Sequence, residues 1–152
     1  MENEKTISVL NTLITINNDR IEGYETASNE TEEQDLKIVF EQFSATSRKC
    51  KQELENEVIK LGGEPAEGTK TSGKFFRVWM DVKAALTGKD RKAILNSCEY
   101  GEDQAKDTYE KALENDTENL SMEQQTMIKA QHALLGVDHD KVKSMRDLAI
   151  AD

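Results

Sequence analysis

Apolar residues in this chain recur every three or four positions over four long stretches, and a single proline, Pro65, falls between the second and the third stretch. This spacing is that of an amphipathic α-helix, because the side chains of a β-strand alternate with a period of two. The periodicity predicts helices at about residues 4–28, 32–61, 90–114 and 122–149. Four amphipathic helices of similar length bury their apolar faces as a four-helix bundle.

Capping residues mark the predicted starts of three of these helices. Thr31 with Gln34, and Ser121 with Gln124, match the capping-box pattern, in which a hydroxyl and an amide three residues later satisfy free backbone N–H groups. Asp90 is a suitable N-cap for the third helix. We therefore expect each helix to begin at a defined residue.

The lengths of the connections predict the topology. The links near residues 29–30 and 115–120 are short, so the first and second helices, and the third and fourth, should be antiparallel neighbours. The link over residues 62–89 is rich in glycine in its first half and carries a short amphipathic helix at about 75–87, which together are long enough to cross the bundle. We predict one all-α domain over residues 1–152, with two antiparallel hairpins joined by a long crossover, as in ferritin-like bundles.

Four segments carry a resemblance to a known family, and they are residues 10–24, 61–65, 77–83 and 98–103. In combination they resemble a bacterial family of small four-helix-bundle proteins of unknown function that is grouped with the ferritin-like superfamily. The resemblance extends over nearly the whole chain. It implies the fold, and it implies no activity.

The charge of the chain narrows the choice of partners. Thirty acidic and twenty basic side chains give a net charge of -10, which repels phosphate backbones and anionic lipids. We expect neither nucleic acid nor a membrane as a partner. No apolar run approaches the roughly 18 residues of a membrane span, and the acidic N-terminus lacks the pattern of a signal peptide, so a cytoplasmic location is expected.

One polar layer is predicted inside the bundle. At about 100° per residue, Asn17, Ser47, Glu102 and Gln131 each lie near the centre of an apolar face, at about the same height. A buried carboxylate such as Glu102 needs a partner or a metal. We prefer hydrogen bonds from Asn17, Ser47 and Gln131, because amides and a hydroxyl can satisfy a carboxylate without a metal.

A conventional di-iron centre is not expected. Such centres in this fold use Glu-x-x-His motifs from two of the helices. The chain has two histidines, and the residue three positions before His132 is Lys129, while the one before His139 is Gly136. We therefore expect no cofactor, no enzymatic activity, and a binding or structural role, with a homodimer formed through an exposed helix face.

Two alternatives stay open at this point. The first is a metalloprotein that handles iron or manganese with Glu102 and the carboxylates at the edge of the apolar faces, which are Glu25, Glu57 and Glu99. The second is a bundle whose interior holds a small apolar ligand, with the crossover as its gate.

Other patterns are interpreted as structural. Cys50 and Cys98 face the core at heights that differ by about 15 Å, so a disulfide is excluded and we expect both to pack as small apolar side chains. Residues 68–74 match the front of a phosphate-binding loop, but Phe75 follows instead of Ser or Thr. Phe75, Phe76, Trp79 and Met80 form an apolar stripe, which we expect to pack across the bundle rather than to dock a partner.

Overall fold

A computed structural model of the chain describes residues 2–67, 84 and 91–151. It contains four long helices, α1 (Glu2–Glu30), α2 (Gln34–Lys60), α3 (Arg91–Asn115) and α4 (Met122–Ala151), and a 3-10 turn at Thr117–Asn119 between α3 and α4. The described ranges hold no strand, so the predicted all-α four-helix bundle is confirmed. None of the described helices is both long and apolar enough to cross a membrane.

Several sequence predictions concern parts of the chain that the structure does not describe. Apart from residue 84, the short crossover helix at about 75–87 lies outside the described residues, and so do Asp90, residues 68–74 and the apolar stripe that begins at Phe75. These features stay predictions from the sequence.

Ion pairs and hydrogen bonds give the directions of the helices. Arg91 at the start of α3 binds Glu33 and Asp35 at the start of α2, so these two helices begin at the same end of the bundle and are parallel. The hairpin of α1 with α2 and the hairpin of α3 with α4 make the most extensive contacts. The structure therefore has the two antiparallel hairpins, with α2 parallel to α3, that the connection lengths predict.

Buried apolar side chains form two separate clusters along the bundle. One surrounds Leu13 and Tyr109, and the other surrounds Tyr24 and Leu95. Each helix contributes to both clusters, and between its two contributions it places a polar residue. These residues are Arg20, Ser47, Glu102 and Asp138. These four polar residues therefore lie between the two apolar clusters.

The two predicted capping boxes have different outcomes. At the start of α4, Ser121 Oγ accepts from the backbone N–H of Gln124, and Gln124 Oε1 accepts from the backbone N–H of Ser121, at 3.1 and 2.8 Å. The prediction at Thr31 is wrong, because α2 begins only at Gln34 with Glu33 as its N-cap. Thr31 instead finishes α1, since its N–H donates to Ala27 O at 2.9 Å.

A glycine pair ends α2. Gly62 has a φ of 83°, in the left-handed region that a side chain disfavours. The N–H groups of Gly62 and Gly63 donate to the carbonyls of Ile59 and Val58, which is the Schellman arrangement. A Cβ on Gly63 would lie 2.7 Å from Ile7 Cδ1, so this glycine also allows the chain to pass close to α1.

Candidate functional site

A fully buried arginine occupies the centre of the bundle. Arg20 on α1 has no exposed surface, and Glu102 on α3 is 1% exposed. The guanidinium donates from Nε to Glu102 Oε2 at 2.8 Å and from Nη2 to Glu102 Oε1 at 2.6 Å. This two-bond pairing of a planar guanidinium with a carboxylate is the geometry that arginine favours and lysine cannot make.

Two more side chains complete the arginine's surroundings. Arg20 Nη1 donates to Ser47 Oγ on α2, and Nη2 donates to Asp138 Oδ2 on α4 at 3.1 Å. Arg20, Ser47, Glu102 and Asp138, which we name the arginine cluster, thus bring one side chain from each of the four helices to the same point.

The ionisation of the arginine cluster follows from burial and charge. Burial disfavours the charged guanidinium, but the carboxylates of Glu102 and Asp138 outweigh this cost and raise the pKa of Arg20. Burial raises the pKa of Asp138 to about 6, with Arg20 acting in the opposite direction. Among the described residues, the core therefore holds one permanent positive charge, which faces two carboxyl groups.

An aromatic group covers the arginine toward the second apolar cluster. The guanidinium carbon of Arg20 lies 5.4 Å from the centre of the Tyr24 ring, within the range of a cation–π interaction. Tyr24 stacks on Phe40 and meets Phe43 edge to face, with ring centres 5.6 and 5.1 Å apart. These rings exclude water from one side of the charged group.

A second polar group links the four helices one to two turns away. Tyr109 on α3 accepts from Asn17 Nδ2 at 2.8 Å and donates to Gln131 Oε1 at 2.7 Å. Gln131 Nε2 in turn donates to Glu53 Oε1 and to the carbonyl of Cys50, at 3.0 and 3.3 Å. This chain of donors runs from α1 through α3 and α4 to α2.

The four residues of the predicted layer, Asn17, Ser47, Glu102 and Gln131, are all buried. The structure divides them between two hydrogen-bonded groups, because Ser47 and Glu102 meet through Arg20, while Asn17 and Gln131 meet through Tyr109. The direct partner of Glu102 is thus Arg20, and not the amides and the hydroxyl expected from the sequence.

Sequence reasoning missed Arg20 although a signal for it exists. Positions 10, 13, 17, 20, 24 and 27 follow the alternating spacing of three and four that defines the buried face of α1, and Arg20 is one of them. An arginine at such a position is normally assigned to a helix edge, because its long stem can reach water. In the sequence, the carboxylate of Glu102 within the apolar face of α3 is the feature that indicates a cation in the core.

The edge carboxylates considered as metal ligands are not brought together. Glu25 binds Arg48, Glu57 accepts from Gln124 at 3.2 Å, and Glu99 binds Arg146. Together with Glu102 they thus have four different partners, on different parts of the bundle. Among the described residues, the group of carboxylates and histidine with a spacing that could hold an ion consists of Glu99, Asp103 and His139.

Both cysteines are buried free thiols. Burial raises the pKa of Cys50 to about 11, and that of Cys98 further. Neither thiol is therefore ionised at neutral pH, which suits the packing role expected from the sequence.

An open groove of about 660 Å³ lies at the end of the bundle where α1 and α4 begin. Its lining is largely polar and includes Lys5, Thr6, Glu118 and Gln124, while Leu61 is among its apolar contributors. An apolar ligand needs mainly hydrophobic walls. This groove therefore does not provide the apolar interior site that the sequence left open.

A known protein family matches most of the chain. A family described as a domain of unknown function, DUF2383, matches residues 5–115. The chain belongs to the DUF2383 family. The DUF2383 match covers α2, α3 and nearly all of α1, with Arg20, Ser47 and Glu102, whereas Asp138 and Gln131 on α4 lie beyond it. No curated protein matches the sequence significantly.

Proposed function

We propose that this DUF2383 chain is a ferritin-like bundle that acts as a binding or structural protein, and that its own arginine supplies the positive charge that a metal supplies in di-iron bundles. The observation that carries the proposal is the two-bond pairing of Arg20 with Glu102, supported by Asp138. The buried carboxylate thereby has a permanent cation that belongs to the chain.

Electrostatics argues against a metal at Glu102. An ion that bound this carboxylate would have to displace the guanidinium, which has no exposed surface and would stay charged in the core with only Asp138 as its ion-pair partner. The displaced arginine would also repel the ion over a few ångströms in a medium of low dielectric constant. The metalloprotein built on Glu102, Glu99, Glu57 and Glu25 is therefore the weaker hypothesis.

The test compares metal binding by the wild type and by Glu102→Gln. Both proteins are purified without chelator, analysed for metal, and titrated with Fe²⁺ without oxygen before air is admitted. We expect the same metal content and the same rate of iron oxidation for both. Stoichiometric iron or manganese in the wild type that is lost in Glu102→Gln would overturn the proposal.

We also propose a cytoplasmic homodimer, in line with the acidic charge and the exposed apolar residues. Ile38 and Ile59 are 54% and 61% exposed and lie on the same side of α2, 21 positions apart. Light scattering of the wild type and of Ile59→Lys tests the dimer. A monomeric wild type, or a dimer that Ile59→Lys leaves intact, would contradict an interface on this side of α2.

A further inference from the structure

A histidine and two carboxylates meet on the seam between α3 and α4. Glu99 and Asp103 lie one turn apart on α3, and His139 faces them from α4. One possible ligand atom from each of the three lies within 4.8 Å of the others, and His139 Nε2 is 2.6 Å from Asp103 Oδ1. The three atoms need to move only slightly to reach the separations of ~3.4 Å found around a tetrahedral zinc ion with bonds near 2.1 Å.

The histidine is oriented for coordination by a residue outside this group. Asp140 Oδ1 lies 3.3 Å from His139 Nδ1, on the opposite side of the ring from Asp103. A carboxylate on one ring nitrogen fixes the tautomer and directs the lone pair of the other nitrogen toward a metal, a pattern common among metal-binding histidines. His139 is also largely shielded from solvent, with 13% of its side chain exposed.

We infer that Glu99, Asp103 and His139 form a site for a divalent transition ion of the zinc type, with water as the remaining ligand. One imidazole nitrogen and two carboxylate oxygens suit Zn²⁺ and Co²⁺ better than Mg²⁺ or Ca²⁺, which prefer oxygen alone. This site is separate from the arginine cluster and does not depend on the proposed function.

Arg146 modulates the site. Its Nη1 donates to Glu99 Oε2, and its Nη2 donates to Asp147 at 3.0 Å. The guanidinium neutralises one of the carboxylates that the ion needs and lies close enough to repel the ion. Removal of this charge therefore strengthens metal binding, which is the reverse of what loss of a ligand does.

The test is a titration of the full chain with Zn²⁺ by calorimetry, and with Co²⁺ by visible absorption. We expect one ion per chain, and at least a ten-fold loss of affinity in His139→Ala and in Asp103→Asn. Asp140→Asn should weaken binding by about ten-fold, as removal of an outer partner of a ligand does. Arg146→Gln should tighten it several-fold. Circular dichroism of each variant confirms that the helices are intact.

The matched control is His132→Ala. His132 lies on the same helix and also faces a carboxylate, with its Nε2 3.3 Å from Glu110 Oε1, but among the residues that the structure describes it belongs to no such group. Its replacement should leave binding unchanged. Equal losses in His132→Ala and His139→Ala, no binding by the wild type at millimolar Zn²⁺, or weaker binding in Arg146→Gln would each overturn the inference.

Discussion

Arg20 lies on the same face of α1 as Leu13, Asn17 and Tyr24, and it is the largest polar side chain without exposed surface in the described residues. Taking a guanidinium and a carboxylate out of water costs several kcal/mol for each, and only close geometry with further hydrogen bonds restores that energy. Arg20 donates four such bonds, to three side chains. The four side chains of the arginine cluster stabilise one another. If one of them is lost, the charged groups that remain are buried without all of their partners, which is energetically unfavourable.

Replacing Arg20 by methionine should therefore destabilise the bundle by about 3–5 kcal/mol, because Glu102 and Asp138 would stay buried without their cation. The double variant Arg20→Met with Glu102→Met should recover much of this loss. Urea unfolding monitored by circular dichroism measures both. The matched control is Arg48→Met, which removes an exposed pair with Glu25 and should cost no more than about 1 kcal/mol. Equal effects of Arg20→Met and Arg48→Met would contradict the arginine cluster.

For single residues, the sequence predicts which side chains are buried better than it predicts their hydrogen-bond partners. The helical period places Asn17, Ser47, Glu102 and Gln131 inside, and all four are buried. The period says nothing of which side chain bridges which, because that depends on the rotation and height of each helix to within a few ångströms. Arg20 and Tyr109 are the bridges, and both need a partner helix to be recognised as such.

The start of a helix depends both on its capping side chains and on the backbone hydrogen bonds of the helix that precedes it. Ser121 is followed directly by α4, and its capping box forms on both sides. Thr31 carries the same pattern but lies where α1 is still making its last backbone hydrogen bond. A capping motif therefore predicts a helix start only where the preceding helix has already ended, which a local pattern does not reveal.

This contrast predicts different effects for two similar substitutions. Ser121→Ala should lower the free energy of unfolding by about 1 kcal/mol, because it leaves the N–H of Gln124 without its cap. Thr31→Ala should cost less than about 0.5 kcal/mol, since the Thr31 hydroxyl accepts only a bond of 3.3 Å from Glu33. Thermal and urea unfolding of both variants give the comparison. A larger loss in Thr31→Ala would mean that the helix start was correctly predicted from the sequence.

The contact between the starts of α2 and α3 adds a dependence on pH. The hydrogen bond from Arg91 holds the pKa of Asp35 below its ordinary value of 3.8. The folded protein thus binds this proton more weakly than the unfolded chain, so the contact stabilises the fold above about pH 4 and is lost as the pH falls through the lowered pKa. Because Asp35 is exposed and Arg91 is only partly buried, the contribution should stay below about 1 kcal/mol.

Asp35→Asn and Arg91→Gln test this contact. Each should slightly reduce stability at pH 7, Arg91→Gln by more because it also removes the pair with Glu33, and the double variant should be no less stable than Arg91→Gln. At pH 2.5 the difference between Asp35→Asn and the wild type should shrink. A difference that grows as the pH falls would have the wrong sign for an ion pair between the two helices.

For the whole molecule, the lengths of the connections were sufficient to predict the topology. Two short links require two antiparallel hairpins, and the long link allows α2 and α3 to run parallel, as the pairing of Arg91 with Asp35 shows. The Glu99, Asp103 and His139 group was not predicted, because its members lie at the edges of the apolar faces of two different helices and meet only when α3 packs against α4.

The two buried thiols report on opening of the whole bundle. Each lies in the core, and burial raises the pKa of Cys50 to about 11. We expect neither thiol of the native protein to react quickly with a disulfide reagent at pH 8, and both to react at once in urea. The single-cysteine variants Cys50→Ala and Cys98→Ala assign each reaction. Fast labelling of one thiol in the native state would indicate local opening around that residue.

The partners of Arg20 are far away along the chain, and this affects the order of folding. Ser47, Glu102 and Asp138 lie 27, 82 and 118 positions from it, so two of its three contacts exist only after both hairpins have met. Contacts that span such loops form late, and their loss acts mainly on the unfolding rate. Arg20→Met should therefore accelerate unfolding in stopped-flow experiments with little change in the folding rate, whereas Phe40→Leu, within the first hairpin, should slow folding. The buried ion pairs would then form after the two hairpins have assembled, and they would determine the lifetime of the folded bundle by setting its unfolding rate.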